Sequence, residues 1–298
     1  MKTYLYLFLT FGLIVSFTDL FSQSGGEAGA FLKNGFGIKE TTLRGAVTAS
    51  VSGPASVFWN PANLKPGKQS ELMFAYVKPF GNFSGISTFQ AGFFSTVWDQ
   101  PFGLGIVSMN VDGIEEVNSF SGPTGTQFSS RQTAVLLGTS YPVTKKLNLG
   151  ATVKWIHIGL AGENASGIGA DFGLNWAFSE QLTFGINLRD LLGARLALGS
   201  KTDIVPFKMQ TGFAWKTLDI LELSTDVVLR PGQKTLVLNG LSVDLWNSAL
   251  FAYSGFDAIN GTGSLGFSVR WYDFSLESGY LIQKHLGNSF SFGGSIRF

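Results

Sequence analysis

The last ten residues of the chain, 289–298, alternate between apolar and polar side chains without a break and end on Phe298. One parity carries Phe290, Phe292, Gly294, Ile296 and Phe298, and the other carries Ser289, Ser291, Gly293, Ser295 and Arg297. A period of two indicates a β-strand with one apolar and one polar face. In a soluble sandwich the apolar face would point into a core, whereas in a membrane barrel it contacts lipid and the polar face lines the lumen.

The same alternation recurs along most of the chain and predicts about fourteen strands. The parity flips between neighbouring segments, for example near Trp271-Tyr272, and each flip indicates a turn. Each segment has about the 9–11 residues that a tilted membrane strand needs, and single-chain bacterial barrels have even strand numbers. The predicted strands are 71–78, 86–98, 102–111, 132–142, 146–158, 167–178, 181–189, 206–217, 220–230, 234–245, 248–257, 263–271, 272–281 and 289–298.

Composition decides between the soluble and the membrane alternative. Charged residues are 14% of the chain, against about 25% in soluble domains. The chain has 38 Gly and 28 Phe, yet no apolar stretch after the first twenty residues is long enough for a spanning helix. We therefore predict an all-β, transmembrane antiparallel β-barrel in contact with the lipid of a Gram-negative outer membrane.

The N-terminus has the features of a cleavable signal peptide. Met1-Lys2 is a short positive region, Leu5 to Phe17 is apolar, and the small residue Ser22 stands where cleavage is expected. The alternative, an uncleaved membrane anchor, fits less well because the apolar run is short. We predict a signal peptide at 1–22, an N-terminal segment at 23–69 and the barrel at 70–298.

Three stretches lack the strand pattern. Residues 24–69 are rich in Gly, Ala and Ser, with little sustained alternation. Asp112 to Arg131 and Asp190 to Pro206 are predicted to be long surface loops, the second with a short helical turn around Leu191-Leu192. Long loops of such barrels point outward, while periplasmic turns stay short.

Several kinds of chemistry are disfavoured by the sequence. The formal net charge is +1 and no basic run occurs, so nucleic acid is not an expected partner. Cysteine is absent, and the two histidines, His157 and His285, belong to no metal or nucleophile motif. We expect neither enzymatic activity nor a cofactor or metal.

Residues 29–64 carry a resemblance to a known family. The segments Gly29 to Leu32, Gly45 to Val47 and Ala55 to Leu64 resemble the N-terminal signature of the PorV/PorQ barrels. These are similar in turn to FadL-type fatty-acid transporters. The resemblance implies fourteen strands and an N-terminal segment, 23–69, folded into the lumen as a hatch, with Asn60, Pro61 and Ala62 as its motif.

The resemblance implies two possible roles. The first is an accessory of the type IX secretion system that binds secretion proteins or secreted cargo at the outer membrane. The alternative is a FadL-like channel for a hydrophobic small molecule, which needs an apolar pocket with a lateral opening. Residues on lumen parity are mostly Gly, Ser, Thr, Asn and charges, so the sequence favours the first role.

Two groups of residues are candidates for the functional site. Arg270, Asp273 and Arg297 share lumen parity, and turns at 271–272 and near 285 would place Asp273 opposite both arginines. We predict a charge cluster near the periplasmic end, as a structural network or a polar seat for the hatch. Pro61 restricts Asn60 to extended backbone, where its side chain can bond local backbone groups. For Asn60, a structural role in the hatch is favoured over ligand contact.

Overall fold

The computed structural model describes residues 28–81, 85–118, 122–199, 201–283 and 287–298, so the predicted signal peptide and His285 lie outside the described residues. Fourteen strands form one closed antiparallel barrel, and two short strands form a separate sheet. The strands are β1 (Glu71–Lys78), β2 (Ile86–Val97), β3 (Gln100–Asn118), β4 (Gly122–Pro142), β5 (Leu147–Leu160), β6 (Glu163–Ala177), β7 (Leu182–Arg189), β8 (Arg195–Leu198), β9 (Lys201–Ile204), β10 (Lys208–Thr217), β11 (Leu221–Leu229), β12 (Leu236–Asp244), β13 (Leu250–Asp257), β14 (Thr262–Trp271), β15 (Phe274–Leu281) and β16 (Ser289–Arg297).

The barrel closes because the last strand pairs with the first. Each wall strand pairs with the wall strands before and after it in the chain, and β7 pairs with β10 because β8 and β9 lie outside the wall. At the closure, β16 pairs with β1 from Arg297 opposite Glu71 to Phe290 opposite Lys78. Closure leaves no open sheet edge in the wall, as the lipid environment demands. The predicted fold class is confirmed, and most predicted strand ends lie within two residues of the observed ends.

The predicted loop from Asp112 to Arg131 is mostly strand, so that prediction was wrong. β3 continues to Asn118 and β4 begins at Gly122, and the two strands form a ribbon beyond the barrel rim. Within the ribbon the pairing shifts between Val111 and Ile114 and again after Glu115. Both faces of the ribbon are mainly polar, so its sequence lacks the alternation of apolar and polar residues that predicts the wall strands.

The second predicted loop, Asp190 to Pro206, also contains strand. It folds into the hairpin of β8 and β9, and Leu191-Leu192 is a turn rather than a helix. Leu196 and Val205 are buried against the rest of the molecule, so the hairpin packs inward over the barrel. This fold-back depends on contacts with distant residues, which local sequence pattern does not reveal.

The outer surface of the wall is apolar, as a lipid-facing surface must be. Its exposed large side chains include Phe74, Phe89, Leu137, Val153, Ile168, Leu265, Phe267, Leu276 and Phe292. Aromatic residues also crowd the short-turn end of the barrel, namely Trp98, Trp246, Trp271, Tyr272 and Phe298. Their position fits the aromatic girdle at a membrane interface. The protein is thus an outer-membrane type of barrel.

No helix among the described residues is long and apolar enough to cross a membrane.

The two ends of the barrel differ in their connections. At one end all turns have between two and five residues, and Phe298 lies there as well. The other end carries the β3–β4 ribbon and the longer connections, including the β8–β9 hairpin. Since short turns face the periplasm in bacterial barrels, we call the first the inner end and the second the outer end.

Residues 28–64, here called the luminal segment, lie inside the barrel. The segment folds into short pieces: α1 (Ile38–Thr42), α2 (Ser56–Trp59) and the 3₁₀ turns Ala30–Asn34, Gly53–Ala55 and Pro61–Asn63. It packs Phe36, Val57 and Phe58 against wall residues such as Leu136 and Ile156, all fully buried. The hydrophobic core of the molecule is therefore the contact between the luminal segment and one side of the wall. A function of this segment as a removable hatch stays a prediction.

Candidate functional site: the luminal segment and two cavities

Paired glycines line the inside of the wall where the luminal segment lies. Six pairs stand directly opposite each other on adjacent strands: Gly92–Gly105, Gly103–Gly138, Gly150–Gly173, Gly185–Gly212, Gly240–Gly255 and Gly266–Gly279. At each of them except Gly212, an added Cβ would meet an atom of the luminal segment within 3.3 Å. The wall thus omits side chains where the backbone of the segment approaches it most closely.

Asn60 links the luminal segment to the wall. Its backbone is extended (φ −164°, ψ 102°), as the following Pro61 predicts. The fully buried amide Nδ2 donates to the carbonyl oxygens of Thr48 (2.7 Å) and Leu174 of β6 (3.0 Å), while Oδ1 accepts from the backbone N–H of Ala62 (3.1 Å). The three residues of the predicted motif thus lie together and contact the wall. Asn60 lines neither of the two cavities described below.

Other wall side chains bond to the backbone of the luminal segment. Gln90 of β2 accepts from Gly37 N–H at 2.8 Å and donates to the Gly35 carbonyl at 3.1 Å. Asp226 of β11 accepts from Thr48 N–H at 3.0 Å and from Gln210 at 2.7 Å. Because buried backbone groups must be paired, these side chains define where the segment can sit.

The predicted cluster of Arg270, Asp273 and Arg297 forms only in part. Asp273 does lie opposite Arg297, whose N–H donates to the Asp273 carbonyl at 2.9 Å, but the predicted pairing of Arg270 with Asp273 was wrong. The turn between β14 and β15 consists of residues 272–273, one position later than predicted, and Trp271 pairs with Phe274. That shift places Arg270 opposite Ser275 and puts the Asp273 side chain in the exposed turn. A one-residue shift is enough to remove a side chain from the lumen face.

Both arginines nevertheless face the lumen with other partners. Arg297 Nε lies 3.2 Å from Glu71 Oε2, across the seam where β16 pairs with β1. The Arg270 guanidinium lies 5.3 Å from the centre of the Phe251 ring. A charged lining of the inner end exists, but its acidic members, among them Glu71 and Glu277, are not the predicted Asp273.

A buried ion cluster escaped the sequence prediction. Lys154 Nζ of β5 lies 2.7 Å from Asp171 Oδ1 of β6 and 2.8 Å from Asp190 Oδ1, and the lysine side chain is 1% exposed. Asp190 follows the last residue of β7, and its burial raises the pKa of its carboxyl group. Lys154 and Asp171 both have lumen parity on adjacent strands, and this parity could have predicted their contact. Asp190 could not be predicted in the same way, because it lies in a stretch that the sequence predicts to be a loop.

The outer cavity lies between the luminal segment and the outer end and has a volume of about 280 Å³. Its apolar lining includes Leu32, Val205, Val228, Leu236 and Leu238. Its basic lining consists of Lys33, Arg44, Arg189, Lys208 and Arg230, against the two carboxylates of Asp190 and Asp257. The lining of the cavity therefore combines apolar side chains with a surplus of positive charge.

The inner cavity lies on the opposite side of the luminal segment and has a volume of about 290 Å³. Its charged lining consists of Lys39, Glu40, Glu71, Lys216, Asp219, Glu222, Asp244, Arg270, Glu277 and Arg297. Burial, and then the nearby Glu277, raise the pKa of Glu40 to about 8. No group of three or more acidic or histidine side chains in the described residues is arranged to hold a metal ion.

Comparison with known proteins shows that this chain is similar in fold to several solved structures. No protein-family model and no curated protein matches the chain. The toluene transporter TodX of P. putida is 13% identical with a TM-score of 0.61, covering 89% of this chain and 97% of that one. The CymD monoaromatic hydrocarbon channel is 15% identical with a TM-score of 0.56 (89% and 97% covered). A Pseudomonas aeruginosa FadL homologue is 11% identical with a TM-score of 0.59 (88% and 98% covered).

At these identities the comparison establishes a FadL-like barrel fold and no specific substrate. The predicted FadL-type layout is thus confirmed at the level of fold. The PorV/PorQ branch and its link to type IX secretion stay predictions.

Proposed function

We propose that the protein is a FadL-like channel that admits a hydrophobic small molecule at the outer membrane. The observation that carries the proposal is the outer cavity, whose apolar lining comes from the luminal segment, the residues that follow β9 and the wall. Two structures of the same fold support it, since one is a toluene transporter and the other a monoaromatic hydrocarbon channel.

The size of the outer cavity suits a small ligand. Its volume of about 280 Å³ is near the lower end of the roughly 300–1,000 Å³ typical of ligand pockets. An apolar protein cavity of about 150 Å³ already holds benzene, so one aromatic ring or a short aliphatic chain fits here. The ligand class is therefore a single-ring or short-chain hydrophobic molecule.

Uptake of labelled toluene by a Gram-negative host that lacks channels for hydrophobic molecules tests the proposal. We expect uptake above the host background for the natural chain, and background uptake for Leu238→Trp, which fills the cavity floor. The matched control is Val237→Trp, the adjacent residue of β12, whose side chain belongs to the opposite, lipid-facing parity. Equal uptake by both variants, or none by the natural chain, would count against the channel.

A second candidate is the accessory role in secretion, favoured by the β3–β4 ribbon. β3 pairs with β2 only as far as Val111, and β4 pairs with β5 only from Ser130 onward. Beyond these residues the ribbon has two free edges, which a partner chain can extend by strand addition. Such a partner would be a secretion protein or its cargo.

Purification of the tagged protein from detergent-solubilised outer membrane, followed by mass spectrometry, separates the two roles. The accessory role predicts that secretion proteins copurify and are lost when residues 113–127 are removed. Recovery of the barrel alone, with unchanged toluene uptake after the same deletion, would favour the channel.

A further inference from the structure

Charged side chains are almost excluded from the lipid-facing parity of the wall. Apart from the ribbon, the described wall strands carry only two charged residues on that parity, Lys78 of β1 and Arg131 of β4. Both are basic and exposed, and both lie toward the outer end of the barrel. A charge on the lipid-facing surface is tolerated only near a membrane interface, so these two positions indicate anionic groups at the outer interface.

Arg131 lies at the level where the outer headgroups of the membrane begin. Tyr141, an exposed aromatic residue of the same parity near the inner end of β4, is ten residues away along the strand. At about 3.3 Å per residue and a tilt of about 40°, ten residues span about 25 Å along the barrel axis. That is about the height of the apolar band of an outer-membrane barrel, so Arg131 lies where the band ends.

The side chains around Arg131 form a polar patch on the outer surface of β3 to β6. Arg131 Nε donates to Asn110 Oδ1 at 3.0 Å, and His157 Nδ1 lies 2.9 Å from Ser166 Oγ. No carboxylate in the described part of the chain forms an ion pair with Arg131. Its guanidinium therefore has further N–H groups that are available to an anion.

A cleft of about 290 Å³ adjoins this patch, between the base of the ribbon and the β5–β6 turn, and we call it the rim cleft. Arg131 and His157 line it, and Asp112 and Glu163 add carboxylates to the lining. A guanidinium suits a phosphate group, and carboxylate oxygens accept hydrogen bonds from hydroxyl groups. The rim cleft thus offers partners for a phosphorylated sugar.

The surface of β5 and β6 becomes apolar from the rim cleft toward the inner end. The indole ring of Trp155 stacks on the His157 ring, with centroids 5.4 Å apart and an angle of 17° between the ring planes. Ile168, which pairs with Trp155, and Val153 continue this surface with exposed side chains. A molecule that is bound in the rim cleft and carries hydrocarbon chains can therefore lay them along β5 and β6.

We propose that the rim cleft binds the phosphorylated headgroup of lipopolysaccharide in the outer leaflet, with a phosphate on Arg131 and His157 and acyl chains against Trp155. Lipid A, the membrane anchor of lipopolysaccharide, is a phosphorylated glucosamine disaccharide that bears several acyl chains. Its phosphate, hydroxyl and hydrocarbon groups match the three parts of this surface. The site lies on the outside of the wall, so it is separate from the outer cavity and from the entry of a hydrophobic molecule.

Native mass spectrometry of the full chain in detergent tests the site, with diphosphoryl lipid A as the probe. Dephosphorylated lipid A, phosphatidylglycerol and inorganic phosphate are compared at the same concentrations. Arg131→Gln removes the cation from the rim cleft. Arg195→Gln is the matched control, since Arg195 is exposed in β8, outside the wall, and does not line the rim cleft. Heat-modifiable migration on gels verifies that each variant is a folded barrel.

The natural chain and Arg195→Gln should bind diphosphoryl lipid A with the same dissociation constant, and Arg131→Gln should raise that constant about tenfold. Removing the phosphates from lipid A should weaken its binding to the natural chain by a similar factor. The same removal should have little effect on Arg131→Gln, because the contact between the phosphate and the guanidinium is already lost in that variant.

Equal dissociation constants for Arg131→Gln and Arg195→Gln would overturn the site, as would the absence of binding by the natural chain. Phosphatidylglycerol that binds as tightly as diphosphoryl lipid A would show a general attraction of anionic lipid instead. Full displacement of lipid A by inorganic phosphate would show a site for soluble anions, and either result contradicts the proposal. Arg131→Gln should leave toluene uptake unchanged, so a failed lipid site and a failed hydrophobic channel are distinguishable.

Discussion

Replacing Asn60 with Ala should release the luminal segment locally while the barrel stays closed. The substitution removes the three hydrogen bonds that the Asn60 side chain makes to the backbone of Thr48, Leu174 and Ala62. Each buried hydrogen bond contributes about 1 kcal/mol net, so local opening becomes easier by about 3 kcal/mol. That difference corresponds to about 100-fold in the opening equilibrium.

Amide hydrogen exchange of the folded protein in detergent measures this opening directly. The informative amide is that of Thr48, which donates to Asp226 and not to Asn60, and it should exchange about 100-fold faster in the variant. Asn63→Ala is the matched control, since its side chain makes one hydrogen bond to the Thr48 carbonyl and should change exchange about fivefold. Equal exchange rates for the two variants would refute the anchoring role of Asn60.

Three further perturbations test other contacts of the lumen. Lys154→Met leaves the buried carboxylates of Asp171 and Asp190 without their cation. It should lower the free energy of unfolding, measured in urea, by about 3–5 kcal/mol. Lys216 is exposed, so the control Lys216→Met should change this free energy by less than about 1 kcal/mol. Burial, and then Glu277, raise the pKa of Glu40 to about 8, so the folded luminal segment favours the protonated form of Glu40. Stability should therefore fall by about 1.4 kcal/mol per pH unit as pH rises from 4.5 to 8, and Glu40→Gln should abolish this slope. Gly173→Ala places a Cβ against Asn60 and should speed release of the luminal segment, measured as faster proteolysis of residues 45–65.

The barrel was predictable because lipid imposes a pattern that the sequence alone displays. Each wall strand needs one apolar face along its length, so alternation locates strands without knowledge of their partners. The same reasoning explains why the ribbon and the β8–β9 hairpin were not predicted to be strands. Neither lies between lipid and lumen, so neither has the alternation of apolar and polar residues.

The site could be predicted only where the conformation of a residue depends on its immediate neighbours in the sequence. The extended backbone of Asn60 follows from Pro61, its immediate neighbour, and that expectation held. The residue opposite Arg270 depends on strand register, and a turn displaced by one residue places Ser275 there instead of Asp273. Arg297 lies opposite Asp273 as predicted, but its side chain pairs with Glu71 of β1. The paired glycines become meaningful only beside the luminal segment, which is distant in the sequence.

The luminal segment contacts two sides of the lumen, and different residues hold it on each side. On the side of β3 to β6, Val57 and Phe58 bury apolar surface against Leu136 and Ile156, and water must be readmitted to separate them. On the side of β12 to β16, Ile38 and Leu43 are buried against wall glycines, and single hydrogen bonds to Ser264, Glu277 and Thr262 hold the neighbouring residues. Both sides therefore combine buried apolar surface with hydrogen bonds. Displacing either part of the luminal segment would expose apolar surface to water, so the segment is held on both sides of the lumen.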